Sequence, residues 1–271
     1  MVAIYGHRGA RGLFPENTLE GIESTLLLPV DGIEIDIVVS KDNQLIVSHN
    51  PFAEHQFCLD PKGNEIKQED ELSHNFHQMN YEDILRYDVG SKVVPRFLYQ
   101  EKFQVKIPLL SKVFELLNQK TTADFTFFLE VKSEEKMYGE YYPYPEEYAQ
   151  LVFDFLEKNK IEGQLIVKSF DPKFMNAFHK IAGKKYSLGL LVENKLSLEE
   201  NLNRLEFVPE FYNPDFCLVT ARLSTELQEK GIKLVSWTIN EEEEIEQIRK
   251  VGGYGIITDY PNKFVNNLGI S

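Results

Sequence analysis

Glu34 and Asp36 stand two positions apart in the run Gly32-Ile33-Glu34-Ile35-Asp36-Ile37-Val38-Val39. Read as a strand, the run sends successive side chains to opposite faces. Ile33, Ile35 and Ile37 then share one face and the two carboxylates share the other. So many β-branched residues mark a buried strand, where neighbouring carboxylates both stay ionised only beside a cation; otherwise one keeps its proton. Either outcome is chemistry. The plain alternative is an edge strand with both carboxylates in solvent.

Other reactive side chains stand at the ends of apolar runs. His7 and Arg8 follow Val2–Tyr5, inside a stretch where Gly6, Gly9 and Gly12 interleave with Arg8 and Arg11; such a backbone can approach an anion closely. His49 ends the run Leu45–Ser48, Glu130 and Lys132 flank Val131, and Trp237, Asn240 and Asp259 end later runs. Glu34, Asp36 and Glu130 offer oxygen-only ligation, which suits one hard divalent cation, Mg²⁺ or Ca²⁺, over Zn²⁺. His7 and His49 could have been zinc ligands, but beside Arg8 and Lys132 they fit a phosphate pocket better, one imidazole as general base and the other as general acid. The plain readings are a structural histidine, a Lys132 that snorkels from the rim, and Trp237 as core filler. His55, His74, His77 and His179 receive no role; His74 and His77 have a helical metal spacing without a third ligand.

The elements that must position these groups alternate. Strands are predicted at Val2–Tyr5, Gly32–Val39, Thr126–Val131, Gln164–Ser169, Ser187–Leu191, Asp215–Val219, Lys233–Ile239 and Gly255–Thr258. Between them helices are predicted at Glu146–Lys158, Pro172–Ile181, Ser224–Lys230 and Glu241–Val251, with Pro261–Leu268 closing the chain. A first helix starts at a cap on Asn17 and reaches about Leu28. Two further helical patterns, Tyr81–Tyr87 and Pro108–Asn118, lie in a long stretch without barrel strands. Eight strands with helical crossovers predict an α/β fold, a (β/α)8 TIM barrel whose site lies at the C-terminal strand ends. An open doubly wound sheet is the alternative, but no glycine fingerprint opens one. The expected organisation is a single barrel domain over 1–271, with residues 50–105 inserted as a subdomain.

The chain has 271 residues, 42% of them hydrophobic, and a formal net charge of −14. That content supports a core of this size, and that charge argues against nucleic acid as a partner. The first residues read as a strand rather than a leader, and no apolar run approaches a membrane span, so a cytoplasmic protein without stable membrane insertion is expected. The two cysteines, Cys58 and Cys217, match no metal spacing and read as buried thiols.

Together, His7-Arg8-Gly9, Pro15-Glu16-Asn17-Thr18, Glu34-Ile35-Asp36, His49, Glu130-Val131-Lys132, Ser169-Phe170, Trp237-Thr238-Ile239-Asn240 and Gly255-Ile256-Ile257-Thr258-Asp259-Tyr260-Pro261 resemble the signature of the glycerophosphodiester phosphodiesterases, in order over nearly the whole chain. The resemblance implies a barrel with an insertion after its second strand and one divalent ion on Glu34, Asp36 and Glu130. It also implies His7 and His49 as acid and base, Arg8 and Lys132 on the phosphate, and Trp237 beside the substrate. The implied substrate is a small glycerophosphodiester, cleaved to glycerol 3-phosphate and an alcohol. One position departs: the family usually has Asp after the second histidine, where this chain has Asn50, which keeps an acceptor oxygen and loses the charge. The tyrosines of Met137–Tyr148 are read either as a wall for the leaving alcohol, choline included, or as a self-packed surface loop. Two rivals remain: a phospholipase D-like enzyme acting on lysophospholipid or sphingolipid, and a non-catalytic phosphodiester-binding protein.

Overall fold

Parallel strands need crossovers that helices provide, and the chain supplies the two in turn. A computed structural model describes residues 2–264. Its strands are β1 (Ala3–His7), β2 (Gly32–Val39), β3 (Leu45–Val47), β4 (Thr126–Val131), β5 (Gln164–Ser169), β6 (Ser187–Val192), β7 (Phe211–Pro214), β8 (Lys233–Ser236) and β9 (Gly255–Thr258). Its α-helices are α1 (Leu19–Thr25), α2 (Tyr81–Ile84), α3 (Leu110–Lys120), α4 (Pro145–Lys158), α5 (Pro172–Ala182), α6 (Leu198–Leu202), α7 (Ala221–Glu229) and α8 (Glu242–Lys250). Eight of the strands pair in parallel in the order β1-β9-β8-β7-β6-β5-β4-β2, and β1 pairs with β2 to close the (β/α)8 TIM barrel. The ninth, β3, lies antiparallel on β2 and delivers His49 beside the barrel rim.

The period of two divides each strand between plug and site. Tyr5, Phe128, Ile166, Phe211, Val235 and Ile257 form one buried cluster inside the barrel, with Phe128 edge-on to Tyr5 at 4.8 Å and to Phe211 at 5.5 Å. Two residues further along the chain, on the strands or just past their ends, come His7, Glu130, Lys168, Asn213, Trp237 and Asp259. The apolar plug is therefore the floor of a polar layer, and truncating one of its phenylalanines costs roughly 3–5 kcal/mol. Ile33, Ile35 and Ile37 face outward into the larger core between sheet and helices, which leaves Glu34 and Asp36 pointing inward, each 1% exposed.

Five sequence expectations shift. The strand placed at Asp215–Val219 is a 3-10 turn over Phe216–Leu218, and the strand itself is Phe211–Pro214. Asn213 and Pro214 are poor strand formers, but Asn213 turns into the barrel and its amide donates to the Val235 carbonyl. The cap of α1 is Thr18, whose hydroxyl accepts from the Gly21 amide, and the helix stops at Thr25. Strand β8 ends at Ser236 rather than Ile239. Cys217 is exposed while Cys58 is buried, and both are free. Of the closing helix expected at Pro261–Leu268, a 3-10 turn covers Pro261–Lys263; residues 265–268 lie outside the described residues. The stretch from Asn50 to Val105 holds only short helical turns and α2, and Phe76, Ile84, Tyr87 and Val105 join the same core cluster as the barrel.

Candidate active site

The loop after β1 folds back so tightly that a Cβ on Gly6 would lie 1.9 Å from the Gly9 carbonyl oxygen. Arg8 adopts φ 53°, a left-handed conformation that a non-glycine residue holds only when its surroundings enforce it. The enforcement is visible. The Arg8 amide donates to Glu34 Oε2 at 3.2 Å and its guanidinium to Glu16 at 2.6 Å. Its Nε lies 3.2 Å from Asp36 Oδ2 but is a buried donor without an aligned hydrogen bond, so it retains capacity for an incoming oxygen. Asn17, also left-handed at φ 55°, donates its amide to Asp36 Oδ2 at 2.9 Å.

Strand register brings the carboxylates together. Asp36 pairs with Glu130 across β2 and β4, and Glu130 pairs with Lys168 across β4 and β5. Glu34, Asp36 and Glu130 are all buried, and one oxygen from each lies within 4.8 Å of the others. Two lysines reach into this cluster: Lys132 Nζ lies 2.7 Å from Glu130 Oε1, and Lys168 Nζ lies 3.3 Å from Glu34 Oε1. Lys168 is 1% exposed, and Gly189 beside it makes room, since a Cβ there would lie 3.3 Å from the Lys168 Cβ.

Charge so concentrated moves the titrations. Burial pushes the Glu34 carboxyl up to about 7, against the nearby Lys168 and with the help of Asp36 and Glu130. Burial would raise Asp36 too, but Arg8, His49 and Lys132 hold it well below the usual carboxylate range. Three buried, converging carboxylates with only oxygen donors fit a hard divalent cation.

Both histidines face the same space. His7 Nδ1 lies 2.7 Å from Asp259 Oδ1, which also accepts from Arg11 Nε at 2.6 Å, while Asn240 holds the other Asp259 oxygen at 2.9 Å. Burial and the adjacent Arg11 push His7 down to about 3, so its imidazole is neutral. His49 is likewise held well below its ordinary value by burial and by Arg8 and Lys132. Its Nε2 faces Lys132 Nζ at 3.1 Å, and its Nδ1 faces Asn50 Oδ1 at 2.8 Å.

These groups line a cavity of about 470 Å³. Of the residues expected from sequence, His7, Arg8, Glu34, His49, Glu130, Lys132 and Trp237 line it; Asp36 lies behind them, against Arg8 and Asn17. Trp237 is edge-on to Phe170 at 5.5 Å, and its indole N–H donates to the Asn213 carbonyl. The tyrosine wall is largely not there. Only Tyr142 of the group lines the cavity; Tyr148 is buried with its hydroxyl on the Ile37 carbonyl, Tyr138 bonds Asp171, and Tyr141 reaches the Leu72 carbonyl. His74 and His77 bond Tyr87 and the Val39 carbonyl, and among the described residues the acidic trio is the one cluster able to hold a metal. Sequence reasoning missed Lys168 and the meeting of His7 and Arg11 on Asp259. The available signal was position: Lys168 and Asp259 each follow an inward apolar residue by two.

A profile of the glycerophosphoryl diester phosphodiesterase family matches residues 7–263. A glycerophosphodiester phosphodiesterase of Bacillus altitudinis is 29% identical over 268 residues, covering 98% of this chain and 97% of the relative. A crystal structure described as a glycerophosphoryl diester phosphodiesterase from Silicibacter pomeroyi DSS-3 superposes with a TM-score of 0.86 at 27% identity, covering 100% of this chain and 95% of that one. An Oleispira antarctica phosphodiesterase, solved with sn-glycerol-3-phosphate, shares the fold with a TM-score of 0.76 at 21% identity, over 96% of this chain and 94% of that one. With the family profile spanning nearly the whole barrel, its acidic cluster included, the chain belongs to the glycerophosphoryl diester phosphodiesterase family.

Proposed function

We propose that this enzyme hydrolyses small glycerophosphodiesters to glycerol 3-phosphate and an alcohol, using one divalent cation, Mg²⁺ or Ca²⁺. The observation that carries the reading is three buried carboxylates with oxygens within 4.8 Å of one another, beside a cavity that His7 and His49 both line. Glu34, Asp36 and Glu130 would hold the cation. When bound, it neutralises phosphoryl oxygens and lowers the cost of charge built up in the transition state.

The chain's own residues do the rest. Arg8 offers its unaligned Nε, and Lys132 its ammonium, to the phosphate oxygens. Turning to the phosphate frees His49 Nε2 from Lys132 and leaves a lone pair able to take the proton of the attacking hydroxyl or water. His7 rests directly on the Asp259 carboxylate, which stabilises its protonated form as the anionic substrate arrives. We therefore assign His49 as general base and His7 as general acid toward the leaving alcohol. Trp237 and Phe170 form an aromatic wall in the cavity for that alcohol, and residues 50–105 act as an insertion within a single barrel domain over 1–271. No helix among the described residues is long and apolar enough to cross a membrane.

The test is release of glycerol 3-phosphate from glycerophosphocholine, glycerophosphoethanolamine and glycerophosphoglycerol, with and without a chelator, in wild type, His7→Ala and His49→Ala. The reading expects metal-dependent release, lost in both variants. Unchanged release under chelation, or glycerol and a phosphorylated alcohol as products, would refute it.

A further inference from the structure

Behind His49 runs a chain of hydrogen bonds whose direction has one solution. Lysine only donates, so Lys132 Nζ, 3.1 Å away, makes His49 Nε2 the acceptor. The imidazole proton then sits on Nδ1 and donates to Asn50 Oδ1 at 2.8 Å. The other end of that amide, Asn50 Nδ2, donates to Glu54 Oε2 at 2.8 Å. Bonds to main-chain carbonyls brace both links: the Ser48 hydroxyl donates to the Asn50 carbonyl, and the Cys58 amide to the Glu54 carbonyl.

An amide can present either end to a neighbour. Turned over, Asn50 would put its NH₂ against Nδ1, forcing Nδ1 to accept and placing an Nε2–H against the donors of Lys132. An ionised carboxylate only accepts, so Glu54 dictates which end of Asn50 faces it and hence which nitrogen of His49 carries the proton. We propose that Glu54 is a positioning residue that acts through Asn50 to hold His49 in the tautomer whose Nε2 lone pair faces the cavity. This rests on the assignment of His49 as the proton acceptor. Arg8, Lys132 and Asp36 surround His49. At Glu54, Arg8 and His55 favour the ionised form that the relay uses, against burial and the nearby Glu16 and Glu71, which push the carboxyl up.

The test compares wild type with Glu54→Gln and with Asn50→Asp/Glu54→Gln. Glutamine keeps the shape of Glu54 but can offer either end, so the amide orientation is no longer dictated. In the double variant an aspartate accepts from Nδ1 directly and the relay is no longer needed. ¹⁵N NMR of the His49 ring, in chelated protein saturated with inorganic phosphate so that Lys132 turns away from Nε2, reads the tautomer without any turnover. We expect a single Nδ1–H form in wild type and the double variant, and a mixture in Glu54→Gln. On glycerophosphocholine, Glu54→Gln should lose roughly tenfold in kcat at unchanged KM, as expected for one lost orienting hydrogen bond, and the double variant should recover most of it. A wild-type tautomer in Glu54→Gln overturns the proposal. So does a loss of kcat that the double variant fails to rescue. Because the ring spectrum is independent of product, failure here stays separate from failure of the proposed reaction.

Discussion

Replacing Lys168 by methionine removes a cation from the floor of the acidic cluster while keeping its length and packing. Lys168 Nζ lies 3.3 Å from Glu34 Oε1, and the two side chains are 2% and 1% exposed. At an effective dielectric near 20 that separation is worth about 5 kcal/mol of attraction. Desolvation consumes much of this in the intact pair, but deleting one partner strands the other and costs roughly 3–5 kcal/mol. Glu34 can shed part of the cost by binding a proton, since its carboxyl already stands at about 7; the low end, about 3 kcal/mol, is the working figure. For a chain of this length that lowers the metal-free Tm by on the order of 10 °C. The sign reverses for a bound divalent cation, which Lys168 repels and which takes over as counter-charge for Glu34. Metal affinity in Lys168→Met should therefore rise, by up to about 100-fold if the same 3 kcal/mol is recovered. Thermal unfolding with chelator, and again across a titration of Mg²⁺ or Ca²⁺, reads both effects in one assay. A metal-free Tm within about 2 °C of wild type, or weaker metal stabilisation, would refute the reasoning.

Two other perturbations follow from the geometry. His7 stays neutral down to about 3, mainly through burial, against about 6.5 unfolded. Between those values the unfolded chain binds the extra proton, so stability rises with pH and falls on acidification, by at most about 1.4 kcal/mol per pH unit. Asp259, held below its usual range despite burial by His7 and Arg11, adds a loss of the same sign at lower pH. Denaturant unfolding of metal-free protein at pH 5 and 7.5 should show this slope in wild type and a shallower one in His7→Gln; equal slopes would exclude His7 as a source. Gly189→Ala should destabilise by about 1–3 kcal/mol, because the new Cβ would lie 2.7 Å from Asn213 Oδ1 and 3.3 Å from the Lys168 Cβ. Denaturant unfolding checks it, and an unchanged midpoint would show that Asn213 and Lys168 move aside freely.

The amino-acid sequence by itself determined the class of fold and most of the reactive groups, because both are local properties. A period of two is set by the pleat within a single strand, so the separation of Glu34 and Asp36 from Ile33, Ile35 and Ile37 needs no partner to be seen. Alternating strand and helix runs likewise imply parallel pairing, and His7, His49, Glu130 and Lys132 stand where strands end. Register and long-range charge were decided only by the tertiary structure. Lys168 looks like a rim residue until β2, β4 and β5 align and place it against a carboxylate 134 positions earlier. Asn213 and Pro214 argue against a strand until the barrel supplies partners for them. The tyrosines of 137–148 resemble a cage in sequence, but a loop's side chains follow the surface on which it packs, and the core took Tyr148 while Asp171 took Tyr138. Asn50 alone reads as the loss of a charge. Only the folded chain shows a carboxylate, Glu54, one hydrogen bond further on, because a turn of backbone brings together what linear order leaves four residues apart.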